Sequence, residues 1–255
     1  MNHFAKFHDY WDLTQLTQWK KTLALLWPAL WGLWIAGVGQ PSFYLVIVFV
    51  IGSFATLALG HTLKAAIRQQ RKRSPKTSRL SLLEHWEVVG LLLLIAAFCV
   101  LSTNWLVVAL SFVGLGFIIL ITLAPNNLSD LFLILAWGWS IPLAFAATQT
   151  ALPVLLWLMY AAVICWRLLL FLLKHKPRQT LLIACLQLLQ MMLFAMIGAF
   201  FGQSIAFFIV LLIIALLSIY QQKLLHQKGM PFDARIIRLQ QWYGSLLLLG
   251  TLLSY

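Results

Sequence analysis

Long apolar runs separated by short polar links make up most of this chain. Nine runs approach the roughly 17 to 25 residues that a helix needs to cross a bilayer. They fall at 23–38, 43–59, 88–101, 105–123, 131–148, 153–173, 181–201, 204–220 and 242–255, the last one short. Lipid offers no hydrogen-bond partner to an exposed peptide group, and a helix satisfies its own, so each run is expected to be helical. The expected fold is all-α, a polytopic bundle of about nine transmembrane helices.

The polar links carry the charge, and the charge orients the runs. Seventeen of the eighteen Lys and Arg residues fall on one side of the membrane when the nine runs alternate; the exception is Arg167, inside the sixth. Cytoplasmic loops retain Lys and Arg, which places the amino terminus inside and the carboxyl terminus outside. Residues 1–22 form an amphipathic lead-in, with Phe4, Phe7, Tyr10, Trp11, Leu13 and Leu16 among polar neighbours, suited to the membrane interface. Residues 23–255 are expected to form one transmembrane domain, with cytoplasmic links at 60–87, 174–180 and 221–241. The first link is the most unusual: between His61 and Arg79 it carries Lys64, Arg68, Arg71, Lys72, Arg73, Lys76 and Arg79 without a single acid.

Composition agrees with a lipid-facing chain, since only 9% of residues are charged and 62% are hydrophobic. A net charge of +12 then reads as orientation plus affinity for anionic headgroups, and nucleic acid is not an expected partner. Candidate chemistry is sparse. Cys99, Cys165 and Cys185 lie inside spans without metal-ligand spacing and read as packing residues, and no metal site is expected. Trp27, Trp31 and Trp34 share roughly one face of the first span. Ser81 and Glu84 form a capping box at the start of the third span, so Glu84 reads as a cap. Asp130 reads as an acid at a helix N-terminus, favoured by the dipole. No catalytic triad or His/Cys pair stands out, so no catalytic residue is assigned.

Four runs carry a resemblance. LLWPALWGLW (25–34), WGWSIPLAFAAT (137–148), WLMYAAVICW (157–166) and YQQKLL (220–225) resemble, in the same order, the UbiA superfamily of intramembrane prenyltransferases. The branch they resemble is the 4-hydroxybenzoate polyprenyltransferases of ubiquinone synthesis. The resemblance implies nine helices, a polyprenyl diphosphate substrate, and Mg2+ held by two aspartate-rich motifs, after the second and sixth helices. Hard divalent cations neutralise the charge that builds on departing diphosphate.

The sequence departs from the family at those motifs. The first falls on Lys64, Ala65, Arg68 and Lys72, and the principal aspartates of the second fall on Phe171 and Arg178. Arg79 stands where the family has the arginine of an Asn-Arg-Pro-Leu turn, with Leu80 in place of the proline. The chain is therefore expected to be a catalytically degenerate homologue in the inner membrane, without Mg2+ or another cofactor. Its partners would be an isoprenoid, quinone or anionic lipid, or a membrane protein of the quinone pathway. Lys64, Arg68, Arg71, Lys72 and Arg79 would then bind an anion directly, or serve only as topological anchors. The alternative is an active 4-hydroxybenzoate polyprenyltransferase whose basic side chains replace the metal. A transporter is a third reading, raised by Arg167, although the spans hold no acid to pair with it for proton coupling.

Overall fold

The computed structural model describes residues 19–72, 82–176, 179–226 and 234–255. All its regular elements are helices: α1 (Trp19–Ala36), α2 (Phe43–Lys72), α3 (Leu82–Leu101), α4 (Trp105–Leu123), α5 (Asn126–Gly138), α6 (Ser140–Gln149), α7 (Leu156–His175), α8 (Thr180–Phe200), α9 (Ile205–His226) and α10 (Ala234–Leu252). Seven segments are long and apolar enough to cross a membrane, and Leu26–Ala36 is a shorter apolar helix. Each of the nine expected runs is found as helix. The fifth is interrupted at Trp139, giving α5 and α6. Pro142 explains the break: it has no N–H to offer the Gly138 carbonyl four residues back, and its ring crowds that carbonyl.

Two bounds differ usefully from the sequence reading. Residues 60–72, expected in a link, continue α2 as helix. The run HTLKAAIRQQRK contains no Gly or Pro and is rich in good helix formers, so the backbone has no reason to stop where its hydrophobicity does. The last helix likewise starts at Ala234, well before the apolar run at 242.

The chain divides into two compact units, one of Met1–Leu26 with Phe43–Phe132 and one of Trp27–Ser42 with Leu133–Tyr255. In the first, α2 packs chiefly against α3, and α4 lies against both. Ala55, Ala58, Leu59, Thr62 and Ala66 form the buried face of α2, while His85, Val89 and Cys99 are buried on α3. The Tyr44 hydroxyl ties the far end of this pair by donating to the Ser102 carbonyl at 2.9 Å. Around this narrow seam large apolar side chains such as Phe43, Phe98, Trp105 and Phe112 face outward, as a lipid solvent allows.

The second unit has a larger core, built by α6, α7, α8, α9 and α10 with the second half of α1. Trp27, Trp31, Trp166, Phe145, Phe194, Phe207 and Tyr243 are buried there. Small residues let the aromatic rings in. A Cβ at Gly244 would overlap the Trp27 indole, and one at Gly32 would press on Ala144 at 2.9 Å. At the opposite end, Gly39 adopts φ +80 and lies under the Tyr255 ring, whose hydroxyl accepts from Gln203 Nε2 at 2.7 Å.

Gly244→Val is expected to destabilise the fold by about 1 to 3 kcal/mol, the usual cost of overpacking. Gly90→Ala, on an open stretch of α3 with nothing within 4 Å, is expected to be neutral or mildly stabilising. Thermal melting of the two variants in the same detergent compares them directly.

Candidate functional site

The first part of the basic link, through Lys72, is helical. At about 100° per residue, positions 64, 68, 71 and 72 lie roughly 180° to 280° around α2 from Thr62. That is the side opposite the face buried against α3. Lys64 is half-buried, and the Thr62 hydroxyl bonds back to the Ala58 carbonyl at 2.8 Å on the buried face. Arg68, Arg71 and Lys72 occupy the last two turns of α2. Arg79 and Ser81 lie outside the described residues, although α3 does begin at Leu82, as the capping box at Ser81 and Glu84 requires.

The acids nearest these positions in sequence lie on α3 and α5. Glu84 is half-buried and Glu87 exposed on the first turns of α3. Asp130 is half-buried, and because α5 starts at Asn126 it lies past the first helical turn. The helix-dipole reading of Asp130 is therefore corrected, since that effect fades within one turn. Next to it Ser129 is buried and bonds to the Ile121 carbonyl at 2.8 Å, joining the start of α5 to the end of α4.

In the second unit, Phe171, onto which the resemblance carries the first aspartate of the second motif, lies near the end of α7. Its ring stacks on His175 at 4.5 Å, and His175 Nδ1 lies 3.1 Å from the Phe171 carbonyl. Arg178 lies outside the described residues. One turn before Phe171, the Arg167 guanidinium rests 4.0 Å over the Trp137 ring. An aromatic face stabilises a desolvated cation, which answers how this span tolerates its charge. Cys99 is buried and Cys165 half-buried, but Cys185 is exposed on α8 and so is not a packing residue.

A polar seam in the same unit was not singled out from the sequence. Gln187 on α8 donates through Nε2 to Gln221 Oε1 at 2.7 Å and accepts at Oε1 from Gln222 Nε2 at 2.6 Å. The Tyr243 hydroxyl lies 3.4 Å from Gln221 Oε1 and 3.2 Å from Ser218 Oγ. Deeper in, Gln240 Nε2 donates to Gln190 Oε1 at 3.3 Å, and Trp166 Nε1 donates to the Gln240 carbonyl at 2.9 Å. Three helices are thus laced together by uncharged amides. The signal was present as Gln187-x-x-Gln190 and Gln221-Gln222 within otherwise apolar helices, where polar side chains need a reason to be.

Magnesium does not fit the motif positions. At the positions onto which the resemblance carries the motifs stand Lys64, Arg68 and Lys72 on α2, and on α7 Phe171, whose ring stacks on His175. Two unit charges about 4 Å apart interact by about 4 kcal/mol at an effective dielectric of 20, and a divalent ion beside a lysine doubles that repulsion. Among the described residues, no three His, Cys, Asp or Glu side chains come together to hold a metal.

The fold defines a polytopic helical membrane protein. A UbiA homologue from Archaeoglobus fulgidus, solved bound to GPP and Mg2+, matches 96% of this chain and 99% of its own with a TM-score of 0.71 at 11% identity. The 4-hydroxybenzoate octaprenyltransferase of Coxiella burnetii is 30% identical over 263 residues, covering 91% of both chains. That of Xanthomonas campestris pv. campestris is 36% identical over 171 residues, a match to 62% of this chain and only 56% of the relative. No protein-family model matches. The chain belongs to the UbiA family, and it is an integral membrane protein.

Gln187→Leu removes both hydrogen bonds at the head of the seam. Interhelical bonds of this kind average about 0.6 kcal/mol and reach about 1.7. A loss of about 1 to 3 kcal/mol is expected, because two amide partners lose a bond. Chemical denaturation in mixed micelles measures it, and Gln187→Glu serves as a polar comparison.

Proposed function

We propose that this chain is a non-catalytic UbiA-family protein that holds a phosphate-bearing lipid on the basic ridge of α2. The observation that carries the reading is the replacement of three expected metal-ligand positions by Lys64, Arg68 and Lys72, on one side of a continuous helix. Ammonium and guanidinium groups bind phosphate oxygens by charge-assisted hydrogen bonds, so the anion can be held without the metal that normally brings it. Arg71 adds a fourth cation on the same side, and Arg79 follows in the link. The ligand class is a phospholipid or an isoprenoid diphosphate. The working context is a bacterial inner membrane with the amino terminus cytoplasmic, beside the proteins of quinone synthesis.

A second reading has one observation in its favour: similarity to an octaprenyltransferase across 91% of the chain. In that reading the protein still transfers a polyprenyl group to an aromatic acceptor, with the basic ridge stabilising the departing diphosphate. Cations aimed at developing charge can lower such a barrier.

The two readings separate in one assay. Protein reconstituted in lipid and given a polyprenyl diphosphate, 4-hydroxybenzoate and Mg2+ is expected to give no prenylated product. Turnover that requires Mg2+ would overturn the non-catalytic reading. Product formed in EDTA and lost in Arg68→Ala/Lys72→Ala would establish the basic-site enzyme instead. The same double variant is expected to retain severalfold less anionic phospholipid through purification, measured by lipid mass spectrometry, with most of the difference erased at high salt.

A further inference from the structure

The last turns of α2 stay helical through a run of like charges that works against them. Lys64 and Arg68, and Arg68 and Lys72, stand four residues apart, and Arg68 and Arg71 stand three apart. Neighbours at those spacings repel one another on a helix surface. The helix nevertheless continues to Lys72, so its end calls for counter-charge. The apolar part of this span closes at Ile67, which brings the cationic turns out of the lipid at the membrane interface.

The chain has six carboxylates to offer, and four of them lie elsewhere. A Cβ at Gly52 on α2 would meet that of Cys99 on α3 at 3.6 Å, so the stripe of α3 that carries Cys99, Val89 and buried His85 faces α2. Glu84 and Glu87 fall roughly 260° and 200° around α3 from His85, on the side turned away from α2. Asp130 follows Ser129, whose hydroxyl is fixed to the Ile121 carbonyl of α4, and Asp233 belongs to the other unit. Asp9 and Asp12 remain. They stand three residues apart in the amphipathic lead-in, a spacing that puts them on one side of a helix and Phe4, Phe7 and Trp11 roughly on the other. Residues 1–18 lie outside the described residues, and α1 begins at Trp19, a short step beyond Asp12. Met1–Leu26 falls in the same compact unit as α2, and the alternation of spans puts the lead-in and the end of α2 on one membrane face.

We infer that the basic side of α2 is the docking surface for the chain's own acidic lead-in, with Asp9 and Asp12 set against Lys64, Arg68, Arg71 and Lys72. Phe4, Phe7 and Trp11 enter the interface and leave the two carboxylates level with the cations. A short tether keeps their effective concentration high, although each exposed ion pair is weak. Two aspartates do not neutralise four cations. The contact is therefore one that a lipid phosphate displaces, and the lead-in acts as an internal competitor that sets how much anionic lipid this surface takes. The competition rests on the lipid reading proposed above, whereas the docking does not.

Carbodiimide coupling tests the docking, because it joins a carboxylate to an amine only where the two touch. The full chain in phosphatidylcholine nanodiscs is treated and digested, and the isopeptide bonds are read by mass spectrometry. Bonds from Asp9 or Asp12 to Lys64 or Lys72 are expected, with a yield that falls severalfold at high salt. Arg68→Ala/Arg71→Ala keeps both lysines and should lower the yield in the same way. No such bond, or bonds from these aspartates only to Lys6, Lys20 or Lys21, overturns the docking. So does coupling of Lys64 and Lys72 to Glu84 or Glu87 alone, or a yield that ignores both salt and the arginine variant. If that variant melts early, the salt series decides. Bonds joining isotopically labelled to unlabelled chains, mixed before reconstitution, make the occupant a second copy and overturn the intramolecular contact. The competition is read separately, in nanodiscs that contain phosphatidylglycerol. Asp9→Asn/Asp12→Asn should retain roughly threefold more of that lipid through purification, the scale of one or two exposed ion pairs. Equal or lower retention overturns the competition. Coupling without retained lipid upholds the docking and sinks the lipid reading, and retained lipid without coupling does the reverse.

Discussion

A hydrocarbon solvent supplies no hydrogen-bond partner, and that constraint governs each level of this structure. It makes every described regular element a helix, because only there does the chain satisfy its own peptides over a single segment. It governs side chains in the same way. The hydroxyls of Thr56, Thr62, Ser111, Thr122, Thr148, Ser218, Thr251 and Ser254 each bond to the carbonyl four residues earlier. These residues are tolerated inside spans because their own helix completes them. Glutamine is too long to be served that way, and it has two donors and an acceptor to satisfy. The glutamines of α8, α9 and α10 therefore meet across helices, and their pairing fixes how those helices pack.

The same constraint explains why the two units are built so differently. The first packs along a narrow seam that includes Ala55, Ala58, Thr62, Ala66 and Val89, and leaves large apolar side chains to lipid. Burial gives little advantage when the solvent is itself apolar, so a thin seam is enough. The second unit brings together rings, indoles and amides that lipid cannot accommodate as well. Its core is aromatic and its contacts are directional, with edge-on tryptophans and amide bridges in place of simple close approach.

Most of the fold was legible in the sequence for this reason. Apolar runs predict helices directly: each of the nine expected runs is helical, and among the described residues seven segments are long and apolar enough to span. What the sequence reading misplaced were ends and breaks. Hydrophobicity marks where lipid stops, whereas backbone propensity decides where a helix stops, so α2 continues through Lys72 and α10 begins at Ala234. The break at Trp139 follows from Pro142, visible in the sequence but ambiguous there, since Pro28 lies within α1 without ending it. The α2 ridge was legible as charge, and its one-sided arrangement emerged only once the helix was known to extend. The glutamine seam was the least legible. Five glutamines scattered over three helices have no shared motif, and only packing shows that they meet.

The fold of this chain is secured by apolar helices and by polar contacts among neutral groups. None of those contacts uses Lys64, Arg68 or Lys72, the positions onto which the family resemblance carries its first aspartate motif. A chain can match relatives over most of its length without a carboxylate at those positions. Changing aspartate to lysine does more than remove a ligand, however. It makes the position attractive to the phosphate itself and repulsive to the ion that used to carry it. On the proposed reading, decay of an unused motif would tend toward neutral residues, so a row of Lys and Arg positions on one side of α2 is the pattern that an anionic ligand calls for.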